Sequence, residues 1–394
     1  MTPNGRNRLV VGAVGTAVVL AGVLAVAARI ERVRDAVREP ITMTVAALLV
    51  TPWQAHAAWS PGRPIPATML EPAAAVVDGK LYVFGGFVTT ARAWEFPATT
   101  RVNVYDPVAD TWSRAADMPA PVTHVNAVVV GHEVWLAGGF EGDEPGRAVA
   151  SVHRYDAVND RWSDGPPLPE PVAGGTLALV EDAARVPRRA LHYLGGFAPD
   201  RDTTLAVHWA LAFEDAAGEA SDRAGANVAS ATETMTVAGS RWEPRAPLPA
   251  ARGHLASAVV ADRLYAIGGQ RRHDTNPIDL AAVDAYDART DTWTAVASLP
   301  TPRSHFEAAT FVREGRIYVV GGRNNTTSLF IKGAGLADIL VYDPAAERWT
   351  ELPGLPVGIE SAVARPLADR LVVTAGASFG DIVPQRGTFV GALP

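Results

Sequence analysis

Six positions each open an apolar run, Glu71, His124, Gly174, His254, His305 and Glu360, and five of them carry a side chain that can do chemistry. Glu71 and Glu360 are the candidate catalytic pair, because two carboxylates beside one bound hydroxyl can pass a proton as acid and base. Arg252 and Arg303 each precede a histidine by two residues, and a guanidinium fork suits a carboxylate or phosphate. Arg252, His254, Arg303, His305, His124 and Arg323 are therefore the candidate ligand-binding set. Neighbouring stretches add Arg271, Arg272, His273, Asn324 and Asn325, a basic patch on a chain of net charge −7. That overall charge argues against nucleic acid as a partner. The chain has no cysteine, which removes disulfides, cysteine-zinc sites and thiol nucleophiles. No metal site and no cofactor are expected.

These positions recur because the chain repeats. "LYVFGGF" (81–87), "VWLAGGF" (134–140), "HYLGGF" (192–197), "LYAIGGQ" (264–270) and "IYVVGGR" (317–323) each end in Gly-Gly, and "LVVTAGA" (371–377) is a degenerate sixth copy. Tyr-Asp follows at 105–106, 155–156, 286–287 and 342–343, and tryptophan at 59, 112, 162, 242, 293 and 349. Each unit reads as four strands separated by turns rich in Asp, Gly and Pro. Four-stranded units at a period near 50 residues indicate propeller blades. The glycines open no helix and lack a following Gly-Lys-Ser/Thr, so they are not a phosphate loop. They serve close backbone approach, the tryptophans serve packing between blades, and Asp106, Asp156, Asp287 and Asp343 serve turns.

Gly-Gly, then Tyr-Asp, then Trp resembles the kelch repeat, over about residues 57–394. The resemblance implies an all-β, six-bladed propeller. It also implies that an Arg-x-His before the first strand can hold a blade together. Two units depart from the pattern: "HWALAFED" (208–215) stands in place of Tyr-Asp, and Ala375 in place of glycine. The last unit runs out before its tryptophan strand, while Trp59 lies in a repeat tail with no repeat before it. The expectation is that the strand at Trp59 closes the ring by completing the sixth blade, beside 387–393, leaving no free edge.

Residues 1–55 read as a leader and 56–394 as the propeller. Leu9 to Ala28 carries no charge and is long enough to span a bilayer as a helix. Arginines flank it at 6 and 8, and at 29, 32, 34 and 38. A second apolar run ends in Ala55-His56-Ala57, a pattern a signal peptidase can cut. The propeller is expected outside the cytoplasm, tethered through 9–28 or released.

Loops 87–101, 140–149, 270–282, 323–337 and 377–387 share one face with the six positions. Inserts 180–190 and 214–235 belong to the other face. Arg252 and Arg303 are expected across the mouth from Glu71 and Glu360, with a gap between them for a ligand. The primary expectation is a module that binds a small polar or anionic, sugar-like ligand at the channel mouth. The architecture is also similar to bacterial N-acetylneuraminate epimerases, which implies a cofactor-free sugar mutarotase as an alternative. A third reading is a scaffold for a protein partner, contacted through Trp94 and Phe96. Galactose oxidase has a related propeller, but its copper radical site needs a cysteine that is absent here.

Overall fold

A computed structural model describes residues 59–89, 95–181, 189–213, 241–325, 334–378 and 383–393. The segment 9–28, the Ala55-His56-Ala57 stretch, Trp94 and the insert 214–235 lie outside these residues. Among the described residues, no helix is long and apolar enough to cross a membrane.

The repeats fold as six four-stranded antiparallel sheets. Sheet 1 is Ala73–Val77, Lys80–Phe84, Val102–Asp106 and Thr111–Arg114. Sheet 2 is Asn126–Val130, Glu133–Ala137, Val152–Asp156 and Arg161–Asp164. Sheet 3 is Thr176–Glu181, Arg189–Leu194, His208–Ala212 and Glu243–Pro244. Sheet 4 is Ala256–Val260, Arg263–Ile267, Val283–Asp287 and Thr292–Ala295. Sheet 5 is Thr310–Arg313, Arg316–Val320, Ile339–Asp343 and Arg348–Leu352. Sheet 6 takes Val363–Leu367, Arg370–Thr374 and Thr388–Ala392 from one end of the sequence and Trp59–Gly62 from the other. Trp59 pairs with Gly391 and Gly62 with Thr388, as the orphan repeat tail requires.

Burial explains the residue types. The second strands are covered on both faces, so they read as continuous apolar runs such as Val134-Trp135-Leu136-Ala137, all buried. The fourth strands lie outermost, and in sheets 1, 2 and 4 only their tryptophan is partly covered. Asp78-Gly79 and Glu314-Gly315 both have φ near +50° to +70°, the geometry of a two-residue hairpin that matches strand twist. The first strands touch in cyclic order, sheet 1 to sheet 2 and onward to sheet 6 and back to sheet 1.

Indole hydrogen bonds join each sheet to its neighbour. Trp112 donates to Arg63 O, Trp162 to Ala116 O, Trp242 to Pro166 O, Trp293 to Ala246 O, Trp349 to Ala297 O and Trp59 to Gly354 O, all at 2.8–3.0 Å. In three units the tyrosine of Tyr-Asp donates to a later aspartate: Tyr105 to Asp110, Tyr155 to Asp160 and Tyr286 to Asp291. The aspartates of Tyr-Asp accept from backbone amides of the following turn, as at Val108 and Ala109 for Asp106. The first glycine of Gly-Gly is needed for close approach. A Cβ on Gly85 would stand 2.5 Å from Val122 O, and the residue has φ +57°.

Candidate functional site

Glu71, His124, His254 and His305 all sit at positive φ, between +47° and +58°, as does Gly174 at +65°. This conformation turns each side chain off its strand toward the sheets' common centre. The residue before it pairs with the residue after Gly-Gly, as in Gly253 with Gln270 and Ser304 with Arg323. In sheet 6 the residue paired in this way is Glu360, with Ala377, and the residue at positive φ is Ser361. The sixth member of the set is therefore Ser361, and the expectation for Glu360 was one residue out of register. The spacing from Ser361 to Ala375 matches that from Glu71 to Gly85 and from His254 to Gly268.

The four predicted residues that converge line one small pocket, part of it open to solvent. Pro72, Asn126, Gly175, Glu307 and Ser361 help to complete its wall. Oε2 of Glu71 lies 2.5 Å from Nε2 of His124, and Oε1 lies 3.4 Å from Nε2 of His305. The His254 and His305 rings stack 3.8 Å apart at 19°. Nδ1 of His254 meets Oε1 of Glu307 at 3.0 Å, and Nε2 of His254 is buried with no hydrogen-bond partner. Ser304 Oγ holds Nδ1 of His305 at 2.8 Å, and Thr123 Oγ1 holds Nδ1 of His124 at 2.7 Å. His273, from the loop after sheet 4's Gly-Gly, brings its ring to 5.0 Å from His124 and 5.3 Å from His254.

Burial opposes the Glu71 anion. The charge of His124 and hydrogen bonds from His124 and His305 outweigh it and hold the carboxyl well below its usual range. Burial pushes the Glu307 carboxyl up and pushes His254, His305 and His273 down. One wall thus carries an anionic carboxylate and another a carboxyl biased toward its neutral form.

The predicted guanidiniums are elsewhere. Arg252 is completely buried, with Nη2 2.6 Å from Asp284 Oδ2 and 3.2 Å from Ala266 O. Arg303 is also completely buried, forked onto Asp338 at 2.9 and 2.6 Å and donating to Gly321 O. Both act as clasps within their sheets, as the Arg-x-His resemblance allowed, and neither lines the pocket. Arg323 faces Glu360 at 3.3 Å and Gln270 at 3.3 Å, and Glu360 is completely buried. The expected gap between an acidic and a basic side of the mouth is absent: Glu71 reaches across to His305 of the fifth repeat directly. Three members of the basic patch, Arg252, Arg303 and Arg323, are taken up by internal pairing, while Arg271 and Arg272 are exposed. At the rim, Arg201 ties three repeats together through Glu144 at 2.8 Å and Asp274 at 2.7 Å.

Glu307 was not among the expected residues. It opens a single 3-10 turn, Glu307–Ala309, where the first strand of sheet 5 begins late. The signal was present in the spacing. His305 to Gly321 is two residues longer than His254 to Gly268, and the turn absorbs the excess. Among the described residues, two sets of three side chains bring one ligand atom each to within 4.8 Å of the others: Glu71, His254 and His305, and His124, His254 and His273.

Four stretches match the Kelch motif, at residues 70–119, 121–169, 251–300 and 303–356, together just over half of the chain. Beta-scruin from Limulus polyphemus is 31% identical over 152 residues, which is 39% of this chain and 16% of that protein. Kelch-like protein terF from Aspergillus terreus is 33% identical over 141 residues, 36% of this chain and 31% of that one. Kelch-like protein 36 from Mus musculus is 34% identical over 120 residues, 30% of this chain and 18% of that one. The chain thus matches less than a third of the length of each relative. Among solved structures, that of YjhT superposes with a TM-score of 0.61 at 13% identity, covering 84% of this chain and 96% of that one. At that identity the likeness shows the fold alone.

Proposed function

The chain belongs to the kelch-motif family and folds as a β-propeller, and from that premise we propose that its six sheets are the six blades of one ring whose central pocket binds a small, hydroxyl-rich, sugar-like ligand. The observation that supports this reading is the convergence of Glu71, His124, His254, His305 and Glu307 on one pocket. A few convergent polar groups in a concave site are what orient a small polar molecule. Carboxylates and imidazoles accept and donate to hydroxyls. With Arg252 and Arg303 committed to Asp284 and Asp338, the pocket favours a neutral polyol over an anion. The test is saturation-transfer NMR with neutral monosaccharides and sugar acids in parallel. The expected result is transfer to a neutral sugar that Glu307→Gln and His124→Ala weaken. Transfer to sugar acids alone, unaffected by either variant, counts against the reading.

A second reading is catalytic. Glu71 held low and Glu307 pushed up form a pair with opposed protonation, the arrangement expected of a base and an acid. Such a pair could open and reclose a sugar hemiacetal, which is the mutarotase alternative. Exchange NMR of the bound anomers separates the two readings: a binder leaves the anomer exchange rate at its value in buffer.

The location is proposed to be outside the cytoplasm, with attachment through the uncharged run 9–28. A partner-protein surface is the remaining alternative. It is supported by Val108 and Val158, exposed at equivalent turns of neighbouring repeats.

A further inference from the structure

We propose that the central pocket binds a divalent first-row transition-metal ion through Glu71, His254 and His305, with a coordination position left open toward the cavity. The inference deepens the reading of the pocket as a ligand site, because an ion there would present itself to the hydroxyls of the bound molecule.

The donor set is the first reason. Two imidazoles and one carboxylate from three different repeats bring one ligand atom each to within 4.8 Å of one another. A tetrahedral ion with bonds of roughly 2.0–2.2 Å needs ligand atoms about 3.4 Å apart. Glu71 Oε1 and His305 Nε2 already stand at 3.4 Å.

The outer contacts are the second reason. A metal-bound imidazole gives its other nitrogen to a carboxylate, hydroxyl or carbonyl, which fixes the ring and its tautomer. Nδ1 of His254 is on Glu307 and Nδ1 of His305 is on Ser304, so each ring offers Nε2 as the ligand atom. Glu71 is braced in turn by His124, whose own Nδ1 is on Thr123. The third reason is Nε2 of His254. It is fully buried and has no hydrogen-bond partner. A self-contained hydrogen-bond network among these side chains leaves that nitrogen unused, whereas an ion uses it.

His254 is shared with the set His124, His254 and His273, so the variants must discriminate. The untagged full chain, stripped with EDTA and dialysed, is titrated with zinc chloride by calorimetry and with cobalt chloride by visible absorption. The expected result is one saturable ion per chain and cobalt bands of a four- or five-coordinate site. Glu71→Gln and His305→Ala each weaken zinc at least tenfold, while His273→Ala changes it less than threefold. Far-UV circular dichroism confirms that each variant is folded, and Glu71→Gln, the near-isosteric change, carries the assignment if His305→Ala is not. No saturable zinc or cobalt binding by the wild type overturns the proposal. So does loss of binding in His273→Ala with retention in His305→Ala, because the other set then holds the ion. The sugar titration repeated in EDTA keeps the two readings apart: sugar binding without zinc binding overturns the metal site and leaves the ligand site standing.

Discussion

Trp59 stands opposite Gly391 in the strand pair that joins the two ends of the propeller, and the missing side chain of Gly391 makes room for the indole. A Cβ there would come within 2.8–3.1 Å of three indole ring atoms. The same indole donates to Gly354 O in the neighbouring sheet, so one residue closes sheet 6 and ties it to sheet 5. Removing residues 1–62 deletes this strand, whereas removing 1–50 keeps it. The first truncation is expected to melt well below the second. Trp59→Ala in the full chain should cost roughly 3–5 kcal/mol, as for other buried aromatic truncations, and Gly391→Val should be destabilising as well. Equal melting temperatures for the two truncations contradict closure by this strand.

Arg303→Ala tests clasp against ligand contact. The guanidinium is buried and forked onto Asp338, so its loss leaves a carboxylate without its partner. Breaking a buried pair from one side costs about 3–5 kcal/mol. The variant is expected to lose stability in urea denaturation and to bind sugars as the wild type does, at a temperature where both are folded. A selective loss of binding with an unchanged denaturation midpoint would place Arg303 in the pocket after all.

The closing strand was legible because Trp59 carries the tail of a repeat that five later copies define. Glu71, His124, His254 and His305 were legible because each opens a first strand at the same distance from its Gly-Gly or nearly so. Glu360 was misplaced because the sixth copy has lost the first glycine, which weakens the ruler; counting from Ala375 leads to Ser361. Arg252 and Arg303 were placed in the mouth because sequence order shows which residues precede a strand but not which carboxylate waits inside the sheet. Asp284 and Asp338 lie more than 30 residues downstream of their arginines, in the third strands or just before them. His273 and Arg201 come from loops, whose course over the pocket no repeat specifies.

The leader proposal predicts topology. The uncharged run 9–28 is long enough to cross a bilayer, and Ala55-His56-Ala57 is a candidate cleavage stretch. Protease added to intact cells is expected to digest the propeller, and amino-terminal sequencing of the mature chain shows whether cleavage follows Ala57. Protection from protease until the cells are lysed argues for a cytoplasmic propeller.

His208 and His192 predict an acid-side loss of stability. The pair is buried in sheet 3, with Nε2 of His208 2.8 Å from Nδ1 of His192 and Nδ1 of His208 on Ala246 O at 2.9 Å. Burial pushes His208 down to about 4, against the opposing pull of its bond to Ala246 and the charge of Asp291 and with the help of Arg245. The rings of Tyr286 and Trp293 enclose the remaining face. Unfolding restores the ordinary value near 6.5, so between these two values the unfolded chain binds more protons than the folded one. The contribution of neutral His208 is therefore complete above pH 6.5 and is lost as the pH falls toward 4. A separation of about 2.5 pH units corresponds to roughly 3 kcal/mol. Urea denaturation at pH 7 and at pH 4.5 is the measurement. The wild type is expected to lose about 2–3 kcal/mol more over that interval than His208→Gln, which cannot take up the proton. Parallel losses in the two proteins show that His208 is not the group responsible.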